Sequence, residues 1–461
     1  MCNLQNREKF ATRLGFILIS AGCAIGLGNV WKFPYITAAN GGAAFILIYL
    51  LFLVLLGIPI MTMEFAVGRG SKKSIAESFQ ALEPKGSKWH LFSYLGMAGN
   101  YLLMMFYTVV SGWMLIYVFK MAAGHFTGLE PAMVAAEFGN VTGGIGIQIV
   151  GMVVMVVAAF TVCGMGLEKG IEKITKVMMI ALICIMAILA VRSITLPGAD
   201  AGLEYYLKPD LGKVFGQGFS HFNEVIFAAM GQAFFTLSIG MGSMAIFGTY
   251  IDKNRRLLGE SMTITALDTF VAFTAGLIII PACFAYGIDL QAGPPLIFIT
   301  LPNVFNSMPG GRIWGSLFFV FMLFAAFSTL VAVFENIIAF AMDKLGWSRK
   351  KACIVNCIAI IILSMPALLG FNAWSGFQPL GPGKNVLDLE DFIVSNNILP
   401  IGSLIYVLFC VTRYGWGFDK FVQEANTGKG PAFPRWLKPY CQYILPLIII
   451  YVLVMGYIAF F

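Results

Sequence analysis

The chain has 461 residues, of which 59% are hydrophobic and only 11% charged. A water-soluble globular chain carries about 25% charged residues, so this one cannot cover a water-facing surface and its solvent must be largely lipid. Its formal charge of +7 sits in short loops between apolar stretches, which argues against a nucleic-acid partner, and the apolar runs are continuous rather than alternating, which argues against a β-barrel.

In chain order, residues 1–13 read as a cytoplasmic tail carrying Arg7, Lys9 and Arg13, with no cleavable leader expected. Eleven helical spans are expected at about 14–38, 43–67, 91–122, 146–164, 171–192, 218–249, 257–287, 312–343, 349–370, 391–414 and 438–461, each of them enough to cross a roughly 30 Å hydrocarbon core. Arg69, Lys72, Lys73, Lys253, Arg255, Arg256, Arg349, Lys350 and Lys351 all fall on the side of the N-terminus. The positive-inside rule then predicts a multi-pass protein with its N-terminus in the cytoplasm and its C-terminus outside. The nine cysteines are scattered without a CxxC pair, and His90, His125 and His221 do not cluster, so neither disulfides nor a cysteine–histidine metal site is indicated.

Two spans are unusual. The first contains Ala21-Gly22-Cys23-Ala24-Ile25-Gly26-Leu27-Gly28-Asn29, and the sixth contains Phe235-Thr236-Leu237-Ser238-Ile239-Gly240-Met241-Gly242. Both place glycines and polar side chains in mid-bilayer. They are five spans apart, so one runs opposite to the other. Interrupted helices at matching positions of two inverted halves point to a transporter site. The alternative, close helix packing at glycine, explains one such cluster better than two in register.

The run from Arg13 through Trp31-Lys32-Phe33-Pro34, with Gly57-Ile58-Pro59, Glu64-Phe65-Ala66-Val67-Gly68-Arg69, the segment 231–238 and Ser328-Thr329, strongly resembles the neurotransmitter:sodium symporter family over essentially the whole chain. The eleven-span form looks like its bacterial aromatic and hydrophobic amino-acid transporters. The resemblance implies an all-α LeuT fold: residues 14–195 as a first five-helix repeat, 214–414 as its inverted partner and 438–461 as an additional helix. It also implies sodium-driven uptake of an amino acid by alternating access across the bacterial inner membrane, and no enzymatic activity.

By the same resemblance, the substrate carboxylate meets Leu27, Gly28 and the Tyr107 hydroxyl, and the ammonium meets carbonyls of Ala24, Phe235, Thr236 and Ser238. Half-helix N-termini suit carboxylates because their N–H groups are free. Cys23, Leu103, Phe235, Met241, Thr329 and Val333 form the side-chain pocket. Biogenic-amine relatives carry an aspartate where Gly26 stands, so the ligand here should bring its own carboxylate. A leucine-transporting relative has phenylalanine where Met241 stands. Methionine adapts its shape, so a roomier pocket is expected, accepting Tyr, Trp, Phe, Leu or Met.

Two sodium sites are implied, oxygen-lined as hard cations require. The first uses Ala24, Asn29, Thr236 and Asp268, and the second uses Gly22, Ile25, Ala325, Ser328 and Thr329. Asp268 replaces the family's usual asparagine, and an intramembrane carboxylate is a functional hypothesis by default. Ala272 stands where chloride-dependent relatives have serine, so chloride is not required. Lys32 and Asp391 should pair as an outer gate, with Lys32 in place of the usual arginine. Arg7 and Asp343 should form an inner latch. Glu64 matches a family glutamate, and Glu335 has no assigned role. Gly170 is not followed by proline ten residues on, so unwinding of the fifth span is open. A proton-coupled carrier, with Asp268 or Glu335 titrating, is the competing reading. An enzyme is disfavoured by the absence of a nucleophile–base or metal motif.

Overall fold

The structure is a computed structural model describing residues 12–216, 218–290 and 294–460. Among these, nine continuous helices are long and apolar enough to cross a membrane. They are spans 2 to 5 (Ala43–Ser71, Trp89–Ala122, Ile145–Gly164, Leu167–Ile194), spans 7 to 10 (Leu257–Tyr286, Gly311–Leu345, Arg349–Leu369, Val386–Val411) and span 11 (Arg435–Ile458). Span 1 is a pair, Arg13–Ala24 and Gly28–Ala39, bent by 59°. Span 6 is Phe219–Thr236 followed by Ser243–Gly248. Nine continuous helices and the bent pair thus coincide with ten of the eleven expected spans, and Phe219–Thr236 with Ser243–Gly248 stands at the place expected for the sixth.

Lipid offers no partner for a backbone N–H or C=O, so helices satisfy the polar groups along each span. Proline disturbs this by removing a donor and crowding the carbonyl four residues back. The described residues contain six widened, π-type turns: Gly28–Lys32, Leu53–Gly57, Leu167–Glu172, Leu296–Thr300, Ile393–Ile398 and Tyr440–Ile444. Five of them end two residues before a proline: Pro34, Pro59, Pro302, Pro400 and Pro446. The widening gives the ring room without ending the helix. The sixth opens span 5 and contains Gly170. Span 5 is thus helical to its start, with no unwound segment at that end.

Spans 3 and 8 share the most extensive face and form the centre with the broken spans. Glycine permits the tightest approaches. A Cβ at Gly68 would lie 1.8 Å from the Ala245 carbonyl oxygen, pinning span 2 to the second half of span 6. A Cβ at Gly402 would lie 1.8 Å from the carbonyl oxygen of Gly240, inside the break of span 6. Span 10 therefore rests directly on that break.

Gly402→Val would force span 10 away from the break. Overpacking of this kind costs about 1–3 kcal/mol, and the midpoint of thermal unfolding in detergent should fall. An unchanged midpoint would show that the contact does not support the fold.

Candidate functional site

Span 1 leaves the helix at Ile25, whose backbone is extended at φ −69° and ψ 104°. Just beyond it the Gly26 N–H is taken by the Asn29 side chain at 3.0 Å. Two hydroxyls from span 8 reach the carbonyls of this stretch. Thr329 Oγ1 lies 3.1 Å from the carbonyl oxygens of both Gly22 and Ile25, and 3.3 Å from that of Ala325. Ser328 Oγ lies 3.1 Å from Gly22 O and 2.9 Å from Ala325 O. Each hydroxyl has one proton to donate, so two protons cannot serve five contacts. Oxygen acceptors are in surplus. The five atoms are those expected for the second sodium site, and their chemistry fits a hard monovalent cation.

The second cluster joins both breaks to span 7. Asp268 is wholly buried well inside the span, not at its end. Its carboxylate accepts from Asn29 Nδ2 at 2.8 Å and from Thr236 Oγ1 at 2.9 Å. Asn29 Oδ1 accepts the Gly26 N–H at 3.0 Å. None of the described salt bridges brings a cationic side chain to Asp268. A buried carboxylate with only neutral donors retains unbalanced negative charge, and this fits a cation beside it.

Between the clusters lies a cavity of about 30 Å³. Of the expected substrate residues, Cys23, Ala24, Leu27, Gly28, Leu103, Tyr107, Phe235, Ser238, Met241 and Thr329 line it. Thr236 and Val333 do not: Thr236 turns toward Asp268, and Val333 is buried beyond Thr329 on span 8. Gly26, Val394 and Leu399 complete the wall. Val394 and Leu399 were not anticipated, because they are ordinary apolar residues in an apolar span. The widened turn before Pro400 is the signal that singles out this stretch of span 10. The cavity is smaller than the roomy pocket expected from Met241 and far below the roughly 300–1,000 Å³ of common ligand sites. The Phe235 ring packs onto Gly28, where an added Cβ would lie 2.7 Å from it.

The polar end of the cavity is specific. The buried Tyr107 hydroxyl has no hydrogen-bond partner. A Cβ at Gly26 would lie 2.7 Å from that hydroxyl and 2.9 Å from Thr329 Oγ1, so this position has no room for a side chain. Ser238 holds a left-handed φ of +50° without being glycine, and its hydroxyl reaches the Cys23 carbonyl at 3.4 Å. Strain of this kind collects at functional sites. Glu64 accepts the Gly240 N–H and faces the start of the second half of span 6.

Both sides are closed by side chains. Phe235 separates the cavity from a second one of about 210 Å³ that Lys32 lines. The Lys32 ammonium sits 4.0 Å from the Phe235 ring centroid, a cation–π contact. The expected Lys32–Asp391 ion pair is not formed within 4.0 Å. Asp391 instead accepts from Ser395 Oγ at 2.7 Å, and the aromatic face holds the ammonium. On the side where the chain begins, Glu335 pairs with Arg349 and accepts from the Tyr250 hydroxyl at 3.3 Å. Arg349 also donates to the Cys163 carbonyl at 2.9 Å. Thr12 Oγ1 donates to Glu172 at 2.7 Å, and Arg13 pairs with Glu260 at 3.2 Å. Asp343 accepts the Ser74 N–H at 2.9 Å. Arg7, its expected partner, lies outside the described residues.

A sequence model described as the Sodium:neurotransmitter symporter family matches residues 7–127 and 136–461. An uncharacterized sodium-dependent transporter of Bacillus subtilis, YhdH, is 33% identical over 460 residues, covering 99% of each chain. An uncharacterized sodium-dependent transporter of Haemophilus influenzae is 30% identical over 98% of each. The crystal structure of MhsT in complex with L-phenylalanine matches with a TM-score of 0.86 and 36% identity, over 98% of this chain and 100% of that one.

Glu335→Gln should loosen the closed side without touching the cavity. In a protein whose other cysteines are serine, maleimide should label the buried Cys163 several-fold faster than in the Glu335 parent. Equal labelling rates would mean that the ion pair does not hold that side shut.

Proposed function

The chain belongs to the sodium:neurotransmitter symporter family, and from that premise we propose that it carries a hydrophobic or aromatic L-amino acid into the cell together with sodium. It is a sodium-coupled, multi-pass membrane transporter of the LeuT fold, not an enzyme. The finer reading concerns what it carries and how. The observation that carries it is the orphaned Tyr107 hydroxyl facing Gly26. A buried donor without a partner costs about 1–3 kcal/mol, and a ligand carboxylate would satisfy it together with the backbone N–H groups at Leu27 and Gly28. The site cannot supply an acid of its own at Gly26, so an amine lacking a carboxylate would leave Tyr107 unpaired. The bound phenylalanine of MhsT supports the same substrate class here.

The substrate ammonium would turn toward carbonyls of Ala24, Phe235, Thr236 and Ser238, and its side chain toward Cys23, Leu103, Met241 and Thr329. One sodium would take Ala24, Asn29, Thr236 and Asp268, with the substrate carboxylate as a further oxygen. A second would take Gly22, Ile25, Ala325, Ser328 and Thr329. Asp268 then supplies, beside the first sodium, a fixed negative charge that a bound chloride would otherwise have to provide, so no chloride is needed. The buried, apolar Ala272 one turn beyond Asp268 supports this, since it offers an anion no donor. Span 1 contributes to the substrate and both ions. Occupying one position therefore pre-orders the others, and the coupling is reciprocal.

For alternating access, Phe235 and Lys32 would open outward, and the Glu335–Arg349 pair with the Thr12–Glu172 contact would open inward. Residues 14–195 and 214–414 would be the moving repeats, with 438–461 outside them. We place the protein in the bacterial inner membrane with its N-terminus and the Glu335 side cytoplasmic.

Purified protein in liposomes should accumulate labelled phenylalanine, tryptophan or leucine when sodium is higher outside. Replacing all chloride by gluconate should leave the rate within about twofold. Uptake driven by a pH gradient alone, without sodium, would favour the proton-coupled reading. A steep fall in gluconate would refute chloride independence while leaving sodium coupling intact.

A further inference from the structure

The first turns of span 10 carry the acids Asp388, Glu390 and Asp391. Two of them have partners. Asp388 closes a capping box: its Oδ2 accepts the Asn385 N–H at 2.7 Å, while Asn385 Oδ1 accepts the Leu387 N–H at 2.9 Å. Asp391 accepts from Ser395 Oγ at 2.7 Å. Glu390 differs. It is 3% exposed, its Oε2 has no hydrogen-bond partner, and none of the described salt bridges includes it.

The elements around it explain why. Val386, Glu390 and Val394 recur every four residues and so share one face of the helix, and both valines are buried. Val394 lines the cavity. Even-numbered spans start on the side opposite the beginning of the chain, so Glu390 stands one turn outside the cavity. This turn packs against span 3 and against Met365–Leu369. Along Phe92–Ala122, span 3 has one charged side chain, Lys120, and Glu137 holds it. Its other titratable groups there, Tyr94, Tyr101, Tyr107 and Tyr117, carry no positive charge, and Met365–Leu369 has none at all. Lys32 of span 1 lies over the Phe235 ring. On the same segment as Glu390, Asp388 and Asp391 add only negative charge beside Lys384. A buried carboxylate offered neither a cation nor a donor takes up a proton rather than remain charged.

We propose that Glu390 is a proton-binding residue of the outer closure. While span 10 packs on span 3, Glu390 holds a proton. When this turn moves away and water enters, the proton passes to that water and the carboxylate ionises. Acid outside therefore favours the closed form and alkali the open form. A solvated glutamic acid titrates near about pH 4.3. Above that, each pH unit shifts the closed–open ratio by up to about tenfold for as long as the closed form stays protonated. The inference concerns gating and does not depend on which solute is carried.

The test is the accessibility of Val386, one turn further out on the same face. Purified Val386→Cys protein, in sodium and without substrate, is treated with a maleimide from pH 5.5 to 7.5, and peptide mass spectrometry follows labelling at that position. Thiolates are the reactive species, so each rate is divided by that of Ser375→Cys, at an exposed turn. The normalised rate should rise about tenfold across the range. Adding Glu390→Gln, neutral at every pH, should hold it within about twofold of the value at pH 5.5. Glu390→Leu should do the same and covers the case in which the amide disturbs the packing. A flat profile in the Glu390 parent would overturn the proposal. So would an equal rise in both Glu390 variants, which would place the titrating group elsewhere, Asp268 included. A position 386 that is never labelled would overturn it too, because that turn would then not open.

Discussion

Every backbone amide in a membrane span must find a partner, because lipid has none to offer. Spans 1 and 6 break that requirement in mid-bilayer, and the surrounding side chains answer it incompletely. Asn29 serves the Gly26 N–H, Glu64 the Gly240 N–H, Gln232 the Gly28 carbonyl at 3.1 Å and Ser238 the Cys23 carbonyl. Ser328 and Thr329 reach three carbonyls with two protons. What remains is a surplus of oxygen acceptors on one side of the break and an unsatisfied tyrosine hydroxyl on the other. A cation relieves the first and a carboxylate the second. The site is the residue of a backbone constraint that the protein does not fully meet alone.

The rest of the fold keeps this arrangement dry and fixed. Gly402 lets span 10 rest on the Gly240 carbonyl, and Gly68 lets span 2 do the same for the second half of span 6. Phe235 lies over Gly28 under the Lys32 ammonium, and Glu335 with Arg349 closes the opposite side. The cavity is therefore small, and a substrate as large as phenylalanine requires Phe235, Met241 or both to move. The outer closure depends on a cation over an aromatic ring rather than on an ion pair. Such a contact is worth roughly 0.5–2 kcal/mol and lacks the fixed geometry of an arginine fork.

Much of this was legible in the residues. Glycine clusters five spans apart, flanked by Asn29 and Thr236, marked the two breaks before any geometry was known. The Ser328–Thr329 pair and Asp268 hydrogen-bond to residues of those breaks. Other features were not legible. Val394 and Leu399 read as ordinary apolar residues of a span, and only the packing of span 10 against the breaks puts them on the cavity wall. Thr236 carries one hydroxyl, and only the position of Asp268 decides that it faces span 7 and not the cavity. Lys32 and Asp391 have opposite charges and a suitable place in the chain, yet Phe235 and Ser395 are nearer to each. Pocket size could not be read from Met241 alone, because Val394 and Leu399 of span 10 also wall the cavity.

The central claim is that one broken stretch of span 1 binds substrate and sodium together. Isothermal titration of the purified protein with phenylalanine at a series of sodium concentrations, and with sodium in the presence and absence of phenylalanine, measures that directly. The account predicts that each ligand tightens the other by the same factor, and that Ser328→Ala with Thr329→Ala reduces it. Phenylalanine affinity independent of sodium would contradict it.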